Sequence, residues 1–481
     1  MRRRRRDGKD MDSVLCDELL EEVLRRLPPR STFSLSTSDV SLVSKRWLRL
    51  YRSTRSTLSL RLNSTPPSSL SSFLSHFPHL SFLSLTIADA NTSTSSDRLF
   101  LSVASSFPRL TNLCLQPNPV SLSTLLSLST SCPSLTSLYI TLSRPFSLHW
   151  LLSFLALKNL GVYFTSVPVQ SGSEIIDGTS RVKSLDDAEL KLETLVLSGI
   201  RRGDRGLDWL WRSCKRLRKL KLRCCEGIGD DTSVLSFVDC FKGLQEVELR
   251  ICRSIANEIL AILAVTCASL SSLLVHDGGG REGLLQFATR SSCNLQKLNL
   301  RLAVDVEDNH LLALAHNFRG LSSIRLECCC RVTGEGLKSM MLALSNELEE
   351  LALVSCNYLE PGLLTTLGQK FRNLRKLDLS DNEMLEDKEF ILMLASFSFL
   401  IELKVKRCQG LTNASLFSMF KSCNQLESVD IVGCTGIEAA AVDIFVLSCL
   451  RLRQIHVESS KLSDVSRSWA SKKFIEIFPP S

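Results

Sequence analysis

The residues best suited to chemistry in this 481-residue chain are its eighteen cysteines and seven histidines. Both residue types bind metals or act in catalysis when their spacing brings them together. No Cys-x-x-Cys pair occurs, and neighbours in the cysteine run at 328–330 would point to opposite faces of a strand. The histidines are scattered, and the glycine run at 278–280 lacks the Lys-Ser/Thr of a phosphate-binding loop. We therefore predict no catalytic residue and no metal site.

Most of the cysteines instead follow a regular spacing. Eleven of them stand either eight residues after, or three residues before, a leucine that recurs along the chain. In an intracellular chain of this size such positions predict reduced, buried packing residues rather than disulfides. The first set is Cys225, Cys252, Cys329, Cys356, Cys408 and Cys434, and the second is Cys132, Cys214, Cys267, Cys423 and Cys449.

The recurring leucine opens a Leu-x-x-Leu-x-Leu motif. From Leu192 onward its ten steps are all 25 to 27 residues long. Each motif alternates like a half-buried strand, and an apolar stretch at helical spacing follows it. A lone unit cannot bury its apolar side, so we predict an α/β solenoid with a curved parallel sheet inside and helices outside. The first leucines are Leu80, Leu110, Leu135, Leu157, Leu192, Leu217, Leu244, Leu270, Leu295, Leu321, Leu348, Leu374, Leu400, Leu426 and Leu452.

Two segments depart from this regularity. The step from Leu157 to Leu192 is 35 residues and is rich in Gly, Ser and Asp, which predicts an inserted surface loop at 165–190. Residues 110–143 carry no charged side chain, but they hold three prolines and many Ser and Thr. We therefore expect no membrane span there.

Two short helices are predicted before the repeats. Leu15, Leu19, Val23 and Leu27 lie four apart on one helix face, and Pro28 ends that helix. A second helix is predicted over residues 40–50. A module this small cannot bury much core, so it is expected to rely on a partner.

Charge and composition limit the function classes. Apolar residues make up 44% and charged residues 22% of the chain, which excludes a mostly disordered protein. The net charge is +8, and residues 1–10 alone contribute +4, so the remaining body is nearly balanced and nucleic-acid binding is not expected. Residues 7–22 hold seven acids where a secretory signal would need an apolar run, so we expect an intracellular protein, in the nucleus, the cytoplasm or both.

The repeats, over residues 80–458, resemble the cysteine-containing class of leucine-rich repeats. The amino-terminal module resembles an F-box, with an acidic Leu-x-Asp-Glu-Leu-Leu helix, a Leu-Pro turn and the segment SLVSKRW at 41–47. The continuation at 53–58 resembles the junction between F-box and repeats in plant members of that family. The implied domains are a basic disordered tail at 1–10, an F-box at 11–57 and a solenoid of about 15 repeats at 58–481.

The resemblance implies a substrate receptor of an SCF-type ubiquitin ligase. The F-box would bind a Skp-type adaptor, and through it a cullin and a RING protein, while the repeats would hold a protein substrate for ubiquitination and degradation. The chain itself would be non-catalytic. The residues that would form or support the adaptor contact are Leu15, Leu19, Leu20, Val23, Leu27, Pro28, Val43 and Trp47.

Substrate contacts are predicted on the strands. The third, fifth and seventh residues from each first leucine should face the concave side, and the third and fifth rows interleave acids with bases. The seventh row has no acid over four successive strands, which predicts a positive field that meets an acidic or phosphorylated substrate. We call its members the basic row: Arg223, Arg250, His276 and Arg301. The earlier strands offer the aromatic residues Phe82, Tyr139 and Tyr163.

Three alternatives remain open from the sequence. The chain could be a hormone receptor assisted by a small molecule or an inositol phosphate, as some plant relatives are. Inositol phosphate would then be its cofactor, and no other cofactor is expected. It could also be a repeat scaffold that binds no adaptor. The arginine run at 2–6 reads either as a solvated tail, which we favour, or as a nuclear import signal.

Overall fold

The computed structural model describes residues 15–26, 44–62, 70–87, 97–98, 101, 103, 107–165, 188–230, 233–278, 280–356 and 362–479. The tail at 1–10 and residues 166–187 of the predicted loop lie outside the described residues. The chain divides into two compact units. The first is Met1–Leu217 with Gly229–Ser236, and the second is Arg218–Ile228 with Phe237–Ser481.

The first unit begins with two helices, α1 (Asp17–Arg26) and α2 (Lys45–Thr54), and continues with strands. A 3-10 helix at His149–Ser153 occupies the place of a helix between its fourth and fifth strands. The later elements are β1 (Thr57–Leu62), α3 (Leu70–Leu74), β2 (Phe82–Ile87), β3 (Asn112–Pro119), α4 (Leu122–Ser131), β4 (Ser137–Ser143), β5 (Asn159–Thr165), β6 (Thr194–Ser198) and α5 (Leu207–Ser213). Helix α6 (Ser233–Asp239) has residues in both units.

The second unit alternates strand and helix almost throughout. Its strands are β7 (Lys219–Arg223), β8 (Glu246–Arg250), β9 (Ser272–His276), β10 (Lys297–Arg301), β11 (Ser323–Glu327), β12 (Glu350–Val354), β13 (Lys376–Asp378), β14 (Glu402–Lys404), β15 (Ser428–Asp430), β16 (Gln454–His456) and β17 (Glu476–Phe478). Its helices are α7 (Ala256–Thr266), α8 (Arg281–Arg290), α9 (Asp308–Asn317), α10 (Gly334–Ala343), α11 (Leu363–Lys370), α12 (Asp387–Leu394), α13 (Asn413–Ser422), α14 (Ala439–Ser448) and α15 (Asp464–Lys472). Two 3-10 turns, Cys240–Gly243 and Ser459–Lys461, complete it.

The predicted leucine-rich-repeat solenoid is confirmed. Within each unit every strand pairs in parallel with the next one along the chain, as β1 does with β2 and β7 with β8. All fifteen first leucines are buried, and a strand begins two residues after each of them. Among the strands of the described ranges, β1 and β17 also lie outside the leucine motif.

The uncharged stretch at 110–143 folds as β3, α4 and β4, in agreement with the expectation of no membrane span. Across the part of the chain that the structure describes, no helix combines the length and the apolar character needed to cross a bilayer.

Successive helices are joined by a ladder of side-chain caps. Asp387, the first residue of α12, accepts hydrogen bonds from the backbone N–H of Thr412 at 2.9 Å and from its hydroxyl, and Thr412 is the N-cap of α13. A carboxylate there satisfies backbone donors that a helix leaves unpaired at its amino end. Asp308 and Asn413 make the same bond to the N-caps Thr333 and Glu438 of α10 and α14.

The Asp387 cap predicts acid-sensitive stability. Burial opposes ionisation, but hydrogen bonds from Ser415 and Thr412 hold the pKa of Asp387 below its ordinary value. A lowered folded-state pKa stabilises the fold above the unfolded pKa, near 4, and this contribution disappears as pH falls through the folded pKa. We expect Asp387→Asn to cost roughly 1 kcal/mol at pH 7 and less at pH 3, measured by urea unfolding. A difference from the wild type that is independent of pH would contradict this.

The predicted cysteine positions are interior ones. Of the eleven cysteines in the two sets, ten are buried and Cys449 is partly exposed. Several of their thiols donate to backbone carbonyls of the preceding repeat, as Cys434 does to Val405 O at 3.0 Å and Cys408 to Leu379 O at 3.1 Å. All eighteen cysteines are free thiols in the structure. Burial raises the pKa of Cys408 to about 12, which keeps its thiol unreactive.

Alkylation should distinguish the buried cysteines from the exposed ones. In the native protein we expect iodoacetamide to modify the exposed Cys16, Cys224 and Cys330 first, because thiolate formation needs access to water. After denaturation without reductant, mass spectrometry should find all eighteen cysteines alkylated. Pairs of cysteines that resist alkylation until a reductant is added would refute the prediction.

Candidate functional site

The two amino-terminal helices share a small core. Leu20 and Leu24 of α1 and Leu50 of α2 are buried together, and Leu15, Trp47 and Tyr51 pack against them. Helix α1 has Asp17 and Glu18 in its first turn and Arg25 and Arg26 in its last, as the helix dipole favours. The N-cap of α2 is Ser44, whose hydroxyl accepts from the backbone N–H of Trp47 at 3.2 Å.

Ionic contacts fix the two helices against each other. Arg46 donates from Nε to Asp17 Oδ1 at 2.7 Å and from Nη2 to the carbonyl of Leu15 at 2.7 Å. Arg49 adds a bond to Asp17 Oδ2 at 3.3 Å. Leu15 precedes α1 and Asp17 is its first residue. These bonds therefore fix the amino end of α1 against α2.

Two apolar residues of α1 point outward. Leu19 is 57% exposed and Val23 is 49% exposed, and they lie four apart on one helix face. We call them the apolar pair. Helix α1 therefore has two apolar faces, one for its own core and one for solvent. Exposed apolar residues held on a fixed surface are typical of an interaction site.

The predicted adaptor residues thus fall into three groups. Leu19 and Val23 form the outward face. Leu15, Leu20 and Trp47 support it from the core between the helices. Leu27, Pro28 and Val43 lie outside the described residues. Leu24, which periodicity did not select, is one of the three buried core residues.

Helix α2 also contacts the following part of the first unit. The Arg52 guanidinium lies 5.7 Å from the ring centre of Phe73, in α3, and 6.0 Å from that of Phe77. Cation–π contacts of this kind stabilise by about 0.5–1 kcal/mol at exposed sites. Together with β1, which begins three residues after α2 ends, they attach the helix pair to the repeats of that unit.

The basic row forms as predicted in the second unit. Arg223 pairs in register with Arg250, Arg250 with His276, and His276 with Arg301. The next strand places Glu327 beside Arg301. The four side chains therefore occupy equivalent positions at the carboxyl ends of β7–β10.

The basic row has no acid of its own over these four strands, but it has an acidic partner from the neighbouring fifth-position row. Glu248, from the fifth-position row, is largely buried and contacts three cations: Lys221 Nζ at 2.9 Å, Arg223 Nη2 at 3.1 Å, and Arg250 Nε. Burial opposes its ionisation, but hydrogen bonds from Lys221 and Arg250 and their charges hold the pKa of Glu248 below its ordinary value. One carboxylate thus forms ion pairs with three cations.

Arg301 lies farther from carboxylate oxygens than its neighbour Arg325 does. Its Nε lies 3.6 Å from Glu327 Oε2 and donates to Asn299 Oδ1 at 3.0 Å. Burial and the nearby charge of Arg325 lower the pKa of Arg301. Arg325 instead contacts both Glu327 and Asp378 at 2.9 Å, and these acids raise its pKa against the effect of burial. Positive charge is therefore in excess at Arg301.

A turn in the left-handed conformation follows each strand from β7 to β14. The residue directly after the strand, or three residues after the shorter ones, has φ between 48° and 61°, a region that L side chains rarely adopt. The conformation places its N–H on a neighbouring carbonyl, as Ile251 N donates to His276 O at 2.8 Å. Two turn residues are exposed apolar side chains, Ile251 and Leu302. The full set is Cys224, Ile251, Asp277, Leu302, Cys328, Ser355, Asp381 and Arg407.

The predicted aromatic residues lie in the first unit and are half-buried. Tyr139 and Tyr163 are on adjacent strands, β4 and β5, whereas β3 separates Phe82 on β2 from β4. The ring of Tyr139 lies over Gly161, where a Cβ would come within 2.1 Å of it. Tyr139 is therefore packed onto the sheet, and the three aromatics do not form one cluster.

Metal binding and catalysis gain no support from these surfaces. Within the described ranges, no group of three or more His, Cys, Asp and Glu side chains is arranged to hold a metal ion. What the two surfaces offer is binding: an apolar pair on a clamped helix, and a row of half-buried cations.

Comparison with known proteins adds distant structural likenesses. No protein-family profile matches the chain. A chain of the yeast Rad7–Elc1 complex is similar with 17% identity and a TM-score of 0.49, over 78% of this chain and 85% of that one. An internalin (inlF) from Listeria monocytogenes has 14% identity and a TM-score of 0.37, over 87% and 94%. The leucine-rich repeat-containing protein LegL7 from Legionella pneumophila has 16% identity and a TM-score of 0.36, over 50% and 85%.

Proposed function

We propose that this chain is the substrate-recognition subunit of an SCF-type ubiquitin ligase. The observation that supports this most is the apolar pair, Leu19 and Val23, exposed on a helix whose opposite side is fixed by its own core. The helix pair would bind a Skp-type adaptor through this face, and the repeats would bind a protein substrate. The chain would act inside the cell, in the nucleus, the cytoplasm or both.

The size of the helix pair favours a partner. Among the residues that the structure describes, its core contains three buried side chains, Leu20, Leu24 and Leu50. A module of this length buries little apolar surface on its own. Leu19 and Val23 are already about half buried, so covering the rest would stabilise a complex by about 0.8–1.5 kcal/mol for each side chain. An adaptor would therefore complete the apolar core that the helix pair only begins.

The proposed role is non-catalytic. The repeats present rows of side chains at regular spacing, which is suited to holding an extended partner. Ubiquitin transfer would belong to the cullin and RING subunits, and this chain would supply proximity by holding substrate near them.

Reconstitution tests the proposal. The full chain is co-expressed with a Skp-type adaptor, a cullin and a RING protein, and the purified assembly is analysed by size-exclusion chromatography with light scattering. We expect one copy of the chain to elute with one copy of each partner. Elution of a folded chain separate from the adaptor would refute the proposal and favour a scaffold without ligase function.

A further inference from the structure

We infer that the carboxyl ends of β7–β10 bind an acidic peptide segment of a protein substrate, in which an apolar side chain lies close to the acids. The basic row would bind the acids, and Ile251 and Leu302 would contact the apolar side chain. This inference rests on the proposed function and specifies its substrate class.

The charge balance of this surface favours an anionic ligand. Lys221, Arg223 and Arg250 share the single carboxylate of Glu248. Arg301 has a more distant acid that Arg325 also contacts. The surface therefore keeps a local excess of positive charge even after its internal pairs are counted. An anion placed over it would meet several charge-assisted donors at once.

The cations are also held in place before any ligand arrives. The side chains of Arg223, Arg250 and Arg301 are 36%, 35% and 31% exposed, so each is partly buried and fixed by a contact to Glu248 or Asn299. Preorganised side chains lose less conformational entropy on binding than freely exposed ones. Arg223 Nε and His276 Nδ1 are buried with no hydrogen-bond partner among the residues that the structure describes. A ligand that turns these groups outward would supply the missing bonds.

Two of the left-handed turns beside the basic row have apolar side chains, which are unusual in this conformation. Ile251 is 51% exposed at φ 54° and Leu302 is 40% exposed at φ 48°. A β-branched residue in this region is strained, and the equivalent turn after β15 has Gly433 instead. About half of each apolar side chain is thus left open to solvent in a strained turn. We expect that it contributes to binding.

The arrangement matches a peptide better than a small anion. Ile251 directly follows Arg250, and Leu302 directly follows Arg301, so each apolar residue lies next to a cation. The two turns are two strands apart, about 10 Å, and the basic row spans about 14 Å. At about 3.3 Å per residue an extended segment of four or five residues covers that distance. A free phosphate compound would leave both apolar side chains uncovered.

The downstream strands of the same unit provide a matched control. There the cations have close acidic partners: Lys376 contacts Glu350 at 2.7 Å, Lys404 contacts Glu402 at 2.6 Å, and Arg407 contacts Asp381. Replacing these three cations removes the same total charge as replacing Arg223, Arg250 and Arg301.

The experiment selects ligands without assuming their identity. A displayed library of random 12-residue peptides is screened against the full chain without adaptor, and enriched peptides are measured by fluorescence anisotropy at low and moderate salt. We expect enrichment of Asp and Glu next to Leu, Ile or Phe. Arg223→Ala with Arg250→Ala and Arg301→Ala should weaken binding at least about tenfold and flatten its salt dependence. The control triple, Lys376→Ala with Lys404→Ala and Arg407→Ala, should change affinity by less than about threefold.

Two further variants keep the test decisive if the first triple misfolds. Ile251→Gly with Leu302→Gly suits the left-handed turns and leaves every charge in place, and we expect it to weaken binding about fivefold. Glu248→Gln removes the shared carboxylate at nearly constant size, and we expect tighter binding of the acidic peptides because the cations lose a competitor.

Several results would overturn the inference. The first is enrichment of peptides without acids, and the second is an equal loss of peptide affinity in both alanine triples. The third is unchanged affinity in the double-glycine variant together with displacement of the peptide by micromolar tripolyphosphate. The last outcome would indicate a site for a small free anion. Adaptor binding is measured on the same preparations. Peptide binding that fails while adaptor binding persists rejects this inference alone, and the reverse result rejects the proposed function alone.

Discussion

Leu19→Glu combined with Val23→Glu is expected to abolish co-purification of the chain with a Skp-type adaptor while leaving the chain folded. Both side chains are about half exposed, so the acids remain hydrated in the free chain. In the complex they would replace apolar contacts of about 0.8–1.5 kcal/mol each and bury charge as well. The affinity should therefore fall by about 100-fold or more, measured by isothermal titration with the purified adaptor.

Leu155→Glu is the matched control for this prediction. Leu155 is 77% exposed in the same unit but lies far along the chain from the helix pair. It should bind the adaptor as the wild type does. Circular dichroism and thermal unfolding would show that the double variant retains its fold. Unchanged adaptor affinity in the double variant would refute the assignment of α1 as the contact helix.

Leu20→Glu is not an equivalent test. Leu20 is 1% exposed in the core between α1 and α2, so an acid there would disrupt the helix pair itself. The loss of binding would then report unfolding. Among the residues predicted for the adaptor contact, the structure therefore makes Leu19 and Val23 the ones to change, and not Leu20.

The helix pair shows what periodicity can and cannot predict. The four-residue spacing of Leu15, Leu19 and Val23 correctly predicted a helix. It did not predict which apolar face would be covered, because that depends on where α2 packs. Helix α2 covers Leu20 and Leu24, and Arg46 fixes its position through Asp17. A contact between residues 29 apart in the chain leaves no local pattern in the sequence.

The repeats were more predictable because the same constraint recurs. Every first leucine must be buried between neighbouring repeats, so its spacing set the strands and their register, including the basic row. The ion pairs were less predictable. A strand residue can reach the diagonal neighbour two positions along the next strand, as Glu248 reaches Arg223, so rows that look separate in the sequence exchange partners.

Asn382→Leu is expected to be among the most destabilising single changes in the second unit. Asn382 is 1% exposed and stands eight residues after Leu374, where six other repeats have a cysteine. Its Nδ2 donates to Leu353 O at 2.7 Å, Leu379 O at 2.8 Å and Ser380 O at 3.3 Å. Its Oδ1 accepts from the backbone N–H of Cys356 at 2.8 Å. Leucine has a similar size but no amide, so the Cys356 N–H and the Leu353 carbonyl would lose these bonds. Leu379 O would keep the bond from the Cys408 thiol, and Ser380 O the bond from the Ser355 N–H.

Each buried polar group without a partner costs about 1–3 kcal/mol, so we expect Asn382→Leu to lower the free energy of unfolding by about 3–5 kcal/mol in urea titrations. Asn382→Cys is the matched control. A thiol there can donate to Leu353 O, as Cys408 donates to Leu379 O in the following repeat, and we expect it to cost less than about half as much. If the two variants were equally stable, the role of Asn382 would be that of a packing residue. A larger loss with leucine than with cysteine would show that this position holds adjacent repeats together through hydrogen bonds to the backbone.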